Sequence, residues 1–88
     1  MREEEMAEQF FKLQQGNKTV DEYAAEFLRL SLFALKFVAE EADRAERFQQ
    51  GLRSELQKQL STLDLESYSQ VLTKAQNLEK ALVKHERV

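Results

Sequence analysis

Gln15-Gly16-Asn17-Lys18-Thr19-Val20-Asp21-Glu22-Tyr23-Ala24-Ala25-Glu26-Phe27-Leu28-Arg29-Leu30 is the stretch whose reading decides the fold. Gly16 can take the positive φ that ends one helix, and Thr19 with Glu22 spells the S/T-x-x-E capping box that starts the next. Past the cap, Tyr23 and Phe27 lie four residues apart on one helical face and are expected to stack. Val20, Leu30 and Ala34 continue that stripe, and Ala24 and Leu28 broaden it. The stretch is a helix-to-helix junction leading into the centre of the core.

Outward from it, the chain has no proline and two glycines among 88 residues, and is rich in Ala, Leu, Glu, Gln, Lys and Arg. Such a composition favours helix throughout. The apolar spacing predicts an all-α bundle of four to five helices, at about 3–14, 20–33, 39–50, 55–60 and 66–83. The first sets Met6, Phe10 and Leu13 on one face. The third buries Val38, Ala42, Ala45 and Phe48, with Gly51 at its C-prime position. Ser54 and Gln57 suggest a second capping box for a short fourth helix facing inward through Leu56 and Leu60. The last carries Tyr68, Val71, Ala75, Leu78 and Leu82, and its tail from Lys84 is expected to fray.

Composition also removes function classes. Without cysteine there is no disulfide, no thiolate zinc site and no cysteine nucleophile, and the single histidine, His85, cannot build a Ser-His or multi-His centre by itself. Glu40, Glu41, Asp43 and Glu46 alternate with Arg44 and Arg47, the pattern of a solvated helix face rather than a catalytic pair. No catalytic residue, metal or cofactor is expected. A net charge of -3 argues against a nucleic-acid footprint in this segment. No apolar run approaches the roughly 20 residues that span a bilayer, so a cytoplasmic protein without membrane contact is expected.

The junction, followed by Phe48-Gln49-Gln50-Gly51-Leu52-Arg53-Ser54-Glu55-Leu56, resembles the Gag family of long-terminal-repeat retrotransposons of the Ty3/gypsy type. Within that family, Gln15, Gly16, Thr19, Glu22, Tyr23 and Phe27 are similar to the major homology region of the capsid C-terminal domain. The second block is similar to the Phe-x-x-Gly-Leu-Arg-x-Glu-Leu signature of plant-type Gag proteins. The resemblance implies a single structural domain over residues 1–88 that self-associates, first as a homodimer, in a virus-like particle around RNA. It also implies that the other capsid half and any RNA contact lie in flanking segments. The alternative is a domesticated oligomerisation module resembling the SCAN domains, for which a nuclear location fits.

Two departures from the family pattern bear on self-association. Glu26 stands where relatives carry the arginine of a buried Glu-Arg pair, so only a reversed, exposed Lys18–Glu26 contact is expected in its place. Leu35 stands where relatives often place a helix-stopping proline, so the second and third helices could fuse and swap between two chains. Ala42 and Asp43 occupy the positions at which relatives present bulky dimer anchors. Phe11, Phe33 and Phe37 fall off the main stripes and are alternative anchors. The candidate contact or swap hinge is therefore Phe33, Leu35, Phe37, Val38, Ala39, Ala42 and Asp43.

Overall fold

The computed structural model describes residues 2–64 and 66–86, with the backbone alone for Glu3 and residues 83–86. All its regular elements are helical: α1 (Glu3–Lys12), α2 (Val20–Ser31), a single 3-10 turn (Leu35–Phe37), α3 (Glu41–Gly51), α4 (Ser54–Leu60) and α5 (Tyr68–Glu86). Helix α5 packs against α2, α3 and α4, while α1 lies on α2. The molecule is only 16 Å thick in its shortest direction, little more than one helix diameter, so one shared core serves every helix.

That core is the stripe read from the sequence. Met6, Phe10, Val20, Tyr23, Ala24, Phe27, Leu30, Ala34, Val38, Ala45, Phe48, Leu52, Leu56, Leu60, Val71 and Ala75 are buried, with Leu13, Tyr68, Leu72, Leu78 and Leu82 packed around them. Leu28 and Ala42 are exceptions. Both were expected inside and both are exposed, because α2 and α3 each bury a narrower face than their apolar spacing suggests.

The helix ends need several corrections. α1 stops at Lys12 rather than residue 14, since Leu13 turns to extended backbone and frees Gln15 to enter the core. α2 stops at Ser31 rather than residue 33, and α3 starts at Glu41 rather than residue 39. The two helices do not fuse, although no proline separates them. Ala34 breaks the helix at φ -144 and ψ 41, bonds from Phe33 and Ala34 back to Leu30 and Ser31 tighten the exit, and Ser31 Oγ donates to the Leu28 carbonyl at 2.8 Å. The reversal puts Ala34 and Val38 into the core, a gain of about 1 kcal/mol or more that a straight helix forfeits.

Thr19 and Glu22 form the expected capping box: Glu22 N donates to Thr19 Oγ1 at 3.1 Å and Thr19 N to Glu22 Oε1 at 2.9 Å. Ser54 and Gln57 do not form one. Ser54 is already helical behind Arg53, and Gln57 Nε2 instead donates to the carbonyls of Gln50 and Leu52 at 3.0 and 2.6 Å, closing the end of α3. α5 begins at Tyr68 rather than residue 66 and its backbone is helical through Glu86; residues 87 and 88 lie outside those described, as does the His85 side chain.

Candidate functional site

The two sequence blocks fold against each other. Gly16, at φ 56, is the only described residue in the left-handed region, and the turn it makes points the Gln15 side chain inward until it is fully buried. A buried amide must satisfy both ends. Gln15 Nε2 donates to the Lys18 carbonyl at 2.9 Å, Gln15 Oε1 accepts from Arg53 N at 3.0 Å, and Gln15 N donates to the Gly51 carbonyl at 2.8 Å. The first block is thereby bonded to the Gly51-Leu52-Arg53 step of the second.

Tyr23 makes the companion contact. Its ring stacks on Phe48 at 4.8 Å between centroids, and its hydroxyl donates to the Phe48 carbonyl at 2.9 Å. That hydroxyl occupies the space a Cβ on residue 51 would need, and the Leu13 carbonyl closes the other side at 3.1 Å. Gly51 is the last residue of α3, not a C-prime glycine in left-handed conformation; it is small because the two blocks touch there. Burial pushes the Tyr23 phenol well above its ordinary pKa, with the nearby Tyr68 phenol adding to the shift. Phe27 does not stack on Tyr23, since their rings are tilted by 58° at 6.2 Å; it stacks on Tyr68 at 5.7 Å and 7°.

A further pair completes the junction. Glu79 Oε2 on α5 accepts from Val20 N, the first helical amide of α2, at 2.8 Å, and lies 3.8 Å from Arg53 Nη2. A carboxylate at a helix N-terminus is favoured by the helix dipole. Arg53 and Glu79, from elements far apart in sequence, thus place a Glu-Arg pair beneath the start of α2, where residue 26 offers no arginine. Spacing within the first block carried no signal of them. The reversed contact does form outside, Lys18 Nζ to Glu26 Oε2 at 3.1 Å; both ends are more than a third exposed, so it contributes under about 1 kcal/mol. Glu22 is held below the ordinary carboxylate range by its hydrogen bonds to the backbone and side chain of Thr19, with Lys18 assisting.

The opposite end of α2 carries the candidate contact residues, which the structure divides. Phe33, Leu35 and Phe37 are exposed, as are Ala39, Ala42 and Asp43. Val38 is fully buried and leaves the set, because the reversal needs it as core. Leu28 and Leu32, unrecognised as surface residues from the sequence, are also exposed, Leu32 by 65%. Phe11 meets Phe37 edge to face at 4.9 Å, joining α1 to this surface, and the Arg47 guanidinium covers Phe11 at 4.8 Å.

Among the described residues, no group of three or more His, Cys, Asp or Glu side chains is arranged to hold a metal ion, and no helix is long and apolar enough to cross a membrane. Comparison with curated proteins found no match. The family model of the PEG10/RTL1 C-terminal capsid-like domain does match, over residues 7–82, a span that begins in α1, takes in both contacting blocks and ends in α5. The chain therefore belongs to that family of Gag-derived capsid domains.

Proposed function

We propose that this domain self-associates as a building block of a Gag-type capsid, dimerising and, with a second capsid half in flanking sequence, helping to enclose RNA in a virus-like particle. A structural role in a capsid is what the family carries. The observation that supports self-association is the surface after α2, where four of the seven exposed large apolar residues among those described, Leu32, Phe33, Leu35 and Phe37, fall within six positions and a fifth, Phe11, meets Phe37. Patches of this kind on small domains mark partner surfaces. A domesticated origin also fits the family, and the SCAN-like reading then keeps the dimer and drops the particle.

RNA enters this proposal only through flanking segments, since the chain carries a net charge of -3. Assembly would take place in the cytoplasm. Light scattering across concentration tests the self-association: a mass of two chains or more by about 100 μM is expected, a range suited to weak interfaces that work by repetition. A single-chain mass throughout overturns the reading.

A further inference from the structure

Where the two blocks meet, the surface sinks into a hollow of about 80 Å³ lined by Phe10, Phe11, Tyr23 and Phe27. A trough of about 470 Å³, along Gly16, Leu52, Arg53, Glu55 and Gln57, adjoins it, and the two share Gln14, Gln50 and Gly51. Gln14 and Gln50 are exposed, and no described hydrogen bond uses either side-chain amide; Lys18 Nζ and Gln57 Nε2 reach only their main-chain carbonyls. Each amide is open to donate and to accept. Arg47 also lines the hollow, over Phe11 at 4.8 Å and Phe10 at 5.8 Å, and takes part in none of the described ion pairs. Arg53, the cation of the trough, is already engaged, 3.6 Å from Glu55 and 3.8 Å from Glu79.

We propose that this cleft binds an extended acidic peptide of another protein, with one aliphatic side chain in the hollow, a neighbouring carboxylate on Arg47 and the peptide main chain on the Gln14 and Gln50 amides. Size selects the anchor. A cavity of about 150 Å³ takes a benzene ring, so a hollow of about 80 Å³ suits leucine or valine and not an aromatic side chain. Charge selects its neighbour: Arg47 has no described ion-pair partner, and a carboxylate beside the anchor bonds the edge of its guanidinium while the flat face stays on the rings. The two open amides select an extended chain, because a helix pairs its own main-chain groups and an extended peptide presents them to its surroundings. None of Leu32, Phe33, Leu35 and Phe37 lines this cleft, so peptide binding and self-association are separable.

The probe is the peptide acetyl-Ser-Leu-Asp-Ser-amide, titrated into the isotope-labelled whole chain and followed by NMR. Saturable shifts at the main-chain amides of Phe11, Gln14, Gln50 and Gly51 are expected, with binding in the millimolar range. Replacing the peptide's leucine by alanine, or its aspartate by asparagine, should weaken binding by about fivefold or more. Arg47→Gln and Gln50→Glu should each weaken it by a similar factor. Because Arg47 also covers Phe10 and Phe11, Gln50→Glu, which alters only an exposed side chain at the rim, carries the test if Arg47→Gln melts early by circular dichroism. Equal binding of the leucine and alanine peptides, or indifference to both variants, overturns the proposal. Shifts centred on Leu32 to Phe37 overturn it as well, by placing the peptide on the other surface. Isobutanol reproducing the peptide's shifts at equal concentration makes the hollow a small-molecule site and overturns it, as does the lack of any saturable shift through the millimolar range. The mass by light scattering reads self-association independently of all these outcomes.

Discussion

The chain reverses direction at both ends of α2, and the two reversals are built in opposite ways. Between α1 and α2, Gln15 is buried and bonded to Lys18, Gly51 and Arg53, while Glu79 reaches from α5 to the first amide of the helix. Between α2 and α3, the turn is closed by local bonds, Phe37 N to the Ala34 carbonyl and Val38 N to that of Leu35, and its large side chains point outward. A reversal held by distant partners commits its residues to the fold. One held by its own backbone leaves its side chains available to another molecule.

The contrast is broken most severely at the core between them. Phe27→Ala is expected to cost about 3 to 5 kcal/mol, a large share of the roughly 4 to 13 kcal/mol expected for a domain of this length, and an unchanged melting temperature would remove Phe27 from the core. Gln15→Ala comes next. It leaves the Arg53 amide and the Lys18 carbonyl unpaired in a partly buried site, for a loss of about 1 to 3 kcal/mol by urea unfolding. A loss under about 0.5 kcal/mol would mean that water replaces the side chain, and the first reversal would be no more committed than the second.

Alkaline titration reads the same junction without removing an atom. The Tyr23 phenol is raised by burial, so the folded chain keeps a proton that the unfolded chain releases near pH 10. Its contribution is fully present below about pH 10 and falls above it by up to about 1.4 kcal/mol per pH unit until the raised folded value is reached. Tyr23→Phe should flatten that decline, besides losing the bond to the Phe48 carbonyl. An equally steep decline in the variant would assign it to other groups.

At the second reversal the expected effects are smallest. Leu35→Pro should cost about 1 kcal/mol: neither bond closing the turn uses the Leu35 amide, but a proline there disfavours the ψ of 41 at Ala34. Phe33→Ala should move it by no more than about 0.5 kcal/mol while weakening self-association. If either variant unfolds the domain in thermal melts, the second reversal belongs to the fold after all and the contrast collapses.

Much of this was legible in the chain, and the reasons are local. The Thr19–Glu22 box, the positive φ of Gly16 and the stripe through Val20, Tyr23, Phe27 and Leu30 are each specified within a few residues, although Gly16 turns the chain after α1 has already ended at Lys12 rather than ending the helix itself. The second capping box failed because Gln57 found two open carbonyls on α3, which a window around Ser54 does not include. α2 and α3 are separate helices, as their expected spans had them, because the absence of proline permits a straight helix without rewarding it. Burying Val38 does reward the bend.

The sequence by itself determined that the chain is helical, which residues start its central helix, and which capsid family it resembles. Only the tertiary structure decided why the two blocks occur together: Gly51 is small because the Tyr23 hydroxyl lies against it, and Arg53 offers its amide to Gln15 and its guanidinium to Glu79. Those partners are separated by tens of residues, and spacing encodes only neighbours within a turn or two of helix. The same holds for the outward phenylalanines. Whether a large apolar side chain serves the core or a partner depends on where the other helices lie, and at Phe37 it is the Phe11 ring of α1 that meets it at the surface.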